Sequence, residues 1–318
     1  MTSLAQVQRH VEGWCNSIYQ NIPRNFEEAF SEDLEVTLEG SVDGKPEPNQ
    51  EYHGRDQFMD HSTQTAGVIR YIIENSFLFN PYFRSITDKS ELSLSYKQIF
   101  IVENLEDGKS VWSQMTSEGR QKYTYPNQSD KVLFTKFFNA KTDVLKELTE
   151  EESLKYRNYG AAQKAYLRCY SAFIEGNPSK AEEEFTKELE VEMNACMDGR
   201  ILIQEYTGRQ LFIEHSQKVI DQVRFVVSRK FEFAERPADS KIAVRYEHEL
   251  IIENVKKEKS VWTRMHSIGT QEMTYTINDN NKIEFTKYVN TEKSEQFVLV
   301  PGEDEHYREN CKRTNLTR

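Results

Sequence analysis

QEYHGRDQFMDHS, residues 50–62, returns as QEYTGRQLFIEHS at 204–216, with eight of thirteen positions identical at an offset of 154. Chance does not place Tyr-x-Gly-Arg, a phenylalanine and His-Ser twice in the same order. The likeness extends outward from this word. IVENLEDGKSVWSQMTSEGRQKYTY (101–125) matches IIENVKKEKSVWTRMHSIGTQEMTY (251–275) at an offset of 150, with thirteen identities in 25 positions. Upstream, FSEDLEV (30–36) matches FTKELEV (185–191), and Pro23 matches Pro178. Downstream, FTKFFN (134–139) answers FTKYVN (285–290). The order is kept and the offset drifts by a few residues, as loop insertions would cause. A period of about 150 residues is a domain and far exceeds a solenoid unit. The chain therefore reads as a first repeat at 1–146, a second at 147–294 and a polar C-terminal tail at 295–318. Thr149 with Glu152 has the pattern of a capping box, so the connection leads straight into a helix.

At 318 residues the chain is long enough for two domains, each burying its own core. Its apolar share is low at 37%, but 18 Phe and 16 Tyr are large side chains that need burial. A net charge of -11 argues against nucleic acid or an anionic membrane as partner, since both need clustered Lys and Arg. No run approaches the roughly 18 apolar residues of a membrane span. The start, MTSLAQVQRHVEGW, lacks the basic region and apolar core of a secretory signal. Cys15, Cys169, Cys196 and Cys311 show no paired spacing, which implies reduced thiols and neither a disulfide framework nor a zinc site. The Asn127 and Asn315 glycosylation triplets carry no weight without export. These features describe an acidic, soluble, cytoplasmic protein, with the nucleus also open to it, holding no metal and no cofactor.

Each repeat opens with helical spacing, as in Val7, Val11, Trp14 and Ile18, followed by a short acidic helix after the proline. A brief strand and an Asp-Gly turn (43–44, 198–199) lead to the Gly-Arg word, which starts a third helix. Phe58, Ser62, Thr65, Ala66 and Ile69 form one stripe of that helix, matched by Phe212, Ser216, Val219, Ile220 and Val223. Alternation then marks long strands. Tyr96, Gln98 and Phe100 share one face in the first repeat, and Tyr246, His248 and Leu250 share it in the second. In 111–125 and 261–275 the odd positions agree at six of eight places, whereas the even positions differ almost throughout. That shared face mixes Ser117, Gln121, Ser267 and Gln271 with apolar residues. Buried polar groups need partners. Either these residues line a cavity, or they meet where two sheets pack across a pseudo-two-fold axis.

The element order, with Tyr-x-Gly-Arg before the third helix, resembles the NTF2-like superfamily, in particular its SnoaL-like and ketosteroid-isomerase-like branch. EYHGRDQFMDH and EYTGRQLFIEH carry the resemblance, which covers about 140 residues of each half. It implies an α+β fold: two tandem cone-shaped domains, each a curved antiparallel sheet wrapped by three helices, packed as an intramolecular pseudo-dimer. It also implies a pocket at the open end of each cone. Function does not follow from this fold, whose members include isomerases, cyclases, hydro-lyases, ligand binders and protein carriers.

The catalytic candidates are His215, Tyr246, His248 and His61. Each helix histidine lies three residues after a stripe phenylalanine, where a general base could reach a cavity or a ring could simply be hydrogen-bonded at the core edge. His248 stands where the first repeat has Gln98, so acid–base work is open to the second repeat alone. No inward acidic residue is read on a late strand, which counts against an isomerase. The pocket candidates are Phe58, His61, Tyr96, Gln98, Ser117 and Gln121, with Phe212, His215, Tyr246, His248, Ser267 and Gln271. Glu51/Arg55 and Glu205/Arg209 read as structural ion pairs or helix caps. Trp112 and Trp262, on the face that otherwise varies, are candidates to anchor a partner. The leading expectation is a non-catalytic module holding a small apolar molecule or a protein segment, with further oligomerisation open to it. The alternatives are a SnoaL-like isomerase, cyclase or hydro-lyase, and a carrier resembling nuclear transport factor.

Overall fold

The computed structural model describes residues 3–80, 84–86, 89–126, 131–234, 240–256, 259–300 and 302–310. Asn127, Cys311 and Asn315 lie outside them. The chain forms two compact units, the first running to Gly160 and the second starting at Ala161.

In the first unit α1 (Leu4–Tyr19) starts at a capping box. Gln6 N donates to Ser3 Oγ at 3.3 Å, and Ser3 N donates to Gln6 Oε1 at 2.8 Å. Leu4, Val7, Val11 and Trp14, three and four residues apart, are all buried. Pro23 opens a 3-10 turn, Pro23–Ala29, where a short α-helix is expected from the sequence. β1 (Phe30–Val42) and β2 (Lys45–His53) then form a hairpin. Its loop residues Asp43 and Gly44 have φ of 50° and 75°, the doubly positive geometry whose twist suits a two-residue hairpin. Gly54 takes φ 99°, which glycine adopts at least cost, and α2 (Arg55–Val68) follows. β3 (Ile69–Phe79), β4 (Arg84–Ile86), β5 (Lys89–Glu106), β6 (Lys109–Pro126) and β7 (Phe134–Glu147) complete the unit. The sheet order is β2-β1-β7-β6-β5-β3, with β4 beside β5.

α3 (Glu150–Ile174) begins at the capping box of Thr149 and Glu152 and runs through the boundary at Gly160. The second unit then follows the order of the first. A 3-10 turn (Pro178–Glu184) precedes β8 (Phe185–Met197), β9 (Arg200–Thr207) and α4 (Arg209–Ile220). After them come β10 (Val223–Phe233), β11 (Lys241–Lys256), β12 (Lys259–Ile277), β13 (Ile283–Val298) and α5 (Glu303–Asn310). The strand order is β10-β11-β12-β13-β8-β9.

The resemblance implied a purely antiparallel sheet in each domain, and neither unit has one. β1 pairs with β7 in parallel, and β8 with β13 likewise. Strands a hundred residues apart have no hairpin between them to impose opposite directions. Bulges between Ile69 and Tyr71 and between Ile72 and Glu74 bend β3.

The repeated phenylalanines build equivalent cores. Phe30 meets Trp14, Phe58 and Phe134 at ring separations of 4.8, 5.4 and 5.4 Å, and Phe58 meets Phe137 at 5.2 Å. In the second unit Phe185 meets Phe212 and Phe285 at 5.2 and 5.9 Å, and Phe212 meets Tyr288 at 4.9 Å. Edge-on and tilted pairs of this kind add to the burial of the rings themselves.

The stretch 295–318, read as a polar tail, instead holds the end of β13 and α5. Tyr307 is 2% exposed and packs on Phe225 at 5.7 Å, so this segment buries apolar surface of its own. In the first unit Tyr156 packs on Tyr71 at 5.2 Å. Leu148 N bonds to the Trp112 carbonyl at 2.8 Å and Leu299 N to the Trp262 carbonyl at 3.2 Å. Leu148, Glu152 and Tyr156 thus have Leu299, Glu303 and Tyr307 as counterparts, a spacing present in the sequence but thinly spread.

Candidate functional site

The Gly-Arg word positions the wall of a cavity in the first unit. Gly54 turns the chain, and Arg55 reaches back to the Phe30 carbonyl at 3.5 Å and to Glu32 at 3.9 Å, rather than to Glu51. Arg209 does the same in the second unit, donating to the carbonyls of Glu182 and Phe185 at 3.2 and 3.1 Å and pairing with the Glu182 carboxylate at 2.7 Å. These arginines tie the helix start to the head of the first strand. The word recurs because its geometry is structural.

The first-unit cavity has a volume of about 360 Å³, within the range of small-molecule sites. Trp14, Ile18, Phe58, Phe100, Met115 and Phe137 supply its apolar wall. Phe58, His61, Tyr96, Gln98, Ser117 and Gln121 all line it. Met115, Ser117 and Gln121 of the odd face of β6 therefore belong to the cavity wall, with Asn139 of β7 beside them. Glu39, Glu47 and Lys141 bring charge to the lining.

The cavity's polar groups are linked to one another. Gln98 Nε2 donates to Asn75 Oδ1 at 3.1 Å and also to Tyr19 Oη, while Tyr19 Oη donates to Asn75 Oδ1 at 3.2 Å. Tyr96 Oη donates to Asn139 Oδ1 at 3.0 Å. Gln121 Oε1 accepts from Tyr123 Oη at 2.8 Å and from the Cys15 thiol at 4.0 Å. Burial pushes the Tyr96 hydroxyl up to about 12, and the Cys15 thiol likewise to about 12. Both stay protonated at neutral pH, so Cys15 is no nucleophile.

Tyr96 crosses the sheet directly opposite Gly119. A Cβ at Gly119 would lie 2.3 Å from the Ala140 carbonyl oxygen and 2.8 Å from Tyr96 Oη. At Gly269 it would lie 2.5 Å from Tyr246 Oη and 2.6 Å from the Thr291 carbonyl oxygen. The glycine shared by both repeats is there to let a tyrosine lie flat on the strand.

His61 hydrogen-bonds through Nδ1 to Tyr52 Oη at 2.9 Å, and Tyr52 Oη lies 2.8 Å from Gln50 Oε1. The phenol has one hydrogen, so donation to Gln50 leaves His61 Nδ1–H to donate to the phenol oxygen. Burial, then the charge of Lys141, holds His61 below its usual range. In the second unit the His215 and Tyr206 rings are 6.3 Å apart, and Tyr206 Oη has no hydrogen-bond partner among the described residues. Burial, then Lys218, also lowers His215.

The second unit carries different chemistry at matching places. His248 stacks on Tyr246 at 4.4 Å, and its buried Nδ1 has no hydrogen-bond partner among the described residues. Burial, then Arg229, then His266, pulls His248 well below its usual range. Tyr246 Oη lies 2.9 Å from Asn290 Oδ1 and 2.7 Å from Glu292 Oε2. Gln271 Oε1 accepts from Tyr166 at 2.8 Å, and Ser267 bonds to Ser294 at 2.9 Å. Phe212 is buried in the aromatic core.

Three readings are corrected. Acidic residues do stand inward on the last strands: Asp143 on β7 is 4% exposed and paired with Lys141, and Glu292 on β13 meets Tyr246. The words ending in Asn139 and Asn290 mark the place: continued alternation along β7 and β13 carries Asp143 and Glu292 to the same face. Trp112 and Trp262 are 7% and 4% exposed and offer no anchor to a partner. Each instead donates its indole N–H to a serine two residues back, Ser110 or Ser260, and Arg308 lies over the Trp262 ring at 5.7 Å. The first-turn arginines, as described, leave Glu51 and Glu205 aside.

Among the described residues no group of three or more His, Cys, Asp and Glu converges as a metal site. No described helix is long and apolar enough to cross a membrane, which says nothing of a β-barrel. Cys15, Cys169 and Cys196 are free thiols.

No family model matches the chain, and no curated protein matches it. Among solved structures it is similar to a ketosteroid isomerase-like protein from Erwinia carotovora atroseptica, at 15% identity and a TM-score of 0.31, over 47% of this chain and 98% of that chain. It is similar also to a type 2 hexachlorocyclohexane dehydrochlorinase, LinA, at 12% identity and a TM-score of 0.33, over 48% and 95% of the two chains. A conserved protein from Planctomyces limnophilus matches at 10% identity and a TM-score of 0.28, over 45% and 98%. Likeness at this level transfers no activity. The NTF2-like resemblance stands on the repeated words and on the element order of each unit.

Proposed function

We propose that the first unit is a non-catalytic binding module whose cavity holds a small, uncharged, largely apolar molecule. The observation that carries this reading is the 360 Å³ cavity, in which aromatic rings, amides and hydroxyls form the wall and the charged Glu39, Glu47 and Lys141 also take part. Groups that keep their protons at neutral pH orient a ligand without exchanging protons with it. Ser117→Leu places an apolar side chain into that space. In a titration with an environment-sensitive apolar fluorophore, the full chain should bind one equivalent at this site and the variant should lose it. Unchanged binding by a folded Ser117→Leu variant refutes the reading. A protein segment as occupant belongs to the same proposal, as do residence in the cytoplasm and packing of the two halves as an intramolecular pseudo-dimer, for which small-angle scattering is the test.

A second reading concerns the second unit. The Tyr246–Glu292 hydrogen bond beside the orphaned His248 Nδ1 supports acid–base chemistry of the isomerase, cyclase or hydro-lyase kind. Turnover of a candidate substrate that survives His248→Gln rules it out.

A further inference from the structure

We infer that the first-unit cavity selects an uncharged apolar molecule carrying a carbonyl at one end and a hydroxyl at the other; this rests on the binding reading above. The argument is a count of donors and acceptors. Gln121 spends its oxygen on Tyr123 and Cys15, which leaves its Nε2 hydrogens for the cavity. Asn139 spends its oxygen on Tyr96, which leaves its Nδ2 hydrogens. Gln98 is the reverse: both Nε2 hydrogens go to Tyr19 and Asn75, and its Oε1 is left to accept. All three residues line the cavity.

Their placement in the sheet sets the spacing. Gln121 and Asn139 are direct cross-strand neighbours, so their amides form a paired donor. Gln121 pairs with Leu94, and Gln98 lies four residues further along β5. At the rise of a strand that separates the donor pair from the acceptor by about 13 Å. Tyr96, opposite Gly119, lies between the two ends with Lys141 at the same level, and Phe100 and Met115 add apolar surface one step beyond Gln98. A ligand carbonyl can accept from Gln121 and Asn139 together, and a hydroxyl at the far end can donate to Gln98. The second unit keeps Gln271 and Asn290 and has His248 at the position of Gln98.

The test compares three probes of one shape on the full chain: a hydroxynaphthyl methyl ketone with its two polar groups at opposite ends, its methyl ether, and the analogue with ethyl for acetyl. Calorimetry should show the hydroxy ketone binding about tenfold more tightly than the ethyl analogue, a hydrogen-bond-sized difference. Gln121→Met should reduce that preference, and Gln121→Met with Asn139→Leu should erase it, while binding of the ethyl analogue by the same variants shows that the cavity persists. Gln98→Leu should erase the preference for the hydroxyl over the ether and keep the preference for the ketone. Equal binding of all three probes overturns this inference and leaves the apolar cavity reading standing. A preference for the ketone that survives Gln121→Met and Asn139→Leu overturns it as well. Failure of every probe to bind removes both.

Discussion

Gly119→Ala should destabilise the first unit, although glycine in a strand interior is ordinarily a liability. A methyl group normally gains about 0.5–1 kcal/mol there by restricting the unfolded chain and giving the strand something to pack. Here the added Cβ would lie 2.3 Å from the Ala140 carbonyl oxygen, a backbone atom of the neighbouring strand that cannot swing aside. It would also lie 2.8 Å from Tyr96 Oη and 2.9 Å from Tyr96 Cζ, forcing the ring off the strand and away from Asn139. Overpacking of this kind costs about 1–3 kcal/mol, enough to exceed the usual gain. At about 2–4 °C per kcal/mol for a unit of this size, the midpoint should fall by about 2–12 °C. Gly40→Ala is the control, because its Cβ would meet nothing closer than 3.5 Å. Urea and thermal unfolding followed by tyrosine and tryptophan fluorescence should place Gly119→Ala below wild type and Gly40→Ala at or above it. A Gly119→Ala midpoint equal to wild type or higher would show that the ring does not lie on the glycine.

His248 is held neutral in the folded state, below its ordinary 6.5, so the unfolded chain binds the extra proton first. Its contribution to stability is therefore present above about pH 6.5 and lost as pH falls below it. His248→Gln, which installs the first unit's residue, should narrow the fall in midpoint between pH 7 and 5; equal slopes for variant and wild type contradict the assignment. Tyr307→Ala should cost about 3 kcal/mol by uncovering Phe225, read as a lowered denaturant midpoint, with removal of the chain after Val298 costing more. A neutral result at Tyr307 would make α5 an accessory rather than part of the core. Cys15 and Cys169 should resist a disulfide reagent in the native chain at pH 8 and react on unfolding, because burial raises both thiols. Rapid native labelling of Cys15 or Cys169 would contradict the buried, protonated state.

That one face of β6 looks inward was legible because a strand shows its two faces in alternate positions, while the choice between a cavity lining and a seam between sheets was not. The odd positions of β6 and β12 agree between halves while the even ones drift, and agreement on a face that mixes serine, glutamine and methionine has few explanations besides a shared interior. The Gly-Arg word was legible as a marker and not as a mechanism. Its glycine answers a positive φ, and its arginine answers carbonyls some 25 positions earlier in the chain. His61 and His215 drew attention for their chemistry; the structure seats each beside a tyrosine of the same word, Tyr52 or Tyr206.

The sequence by itself determined that one pattern of helices, turns and strands occurs twice, and which face of the third long strand looks inward. Those are properties of neighbouring residues, set by periods of two and 3.6 and by the few residues that tolerate a positive φ. Only the tertiary structure decided that β1 runs parallel to β7, that Trp112 and Trp262 are covered, and that Asp143 and Glu292 face inward. It alone also decided which end of each cavity amide remains free. These depend on partners brought together from distant positions, and a polar group's role is set by what its other atoms are already bonded to.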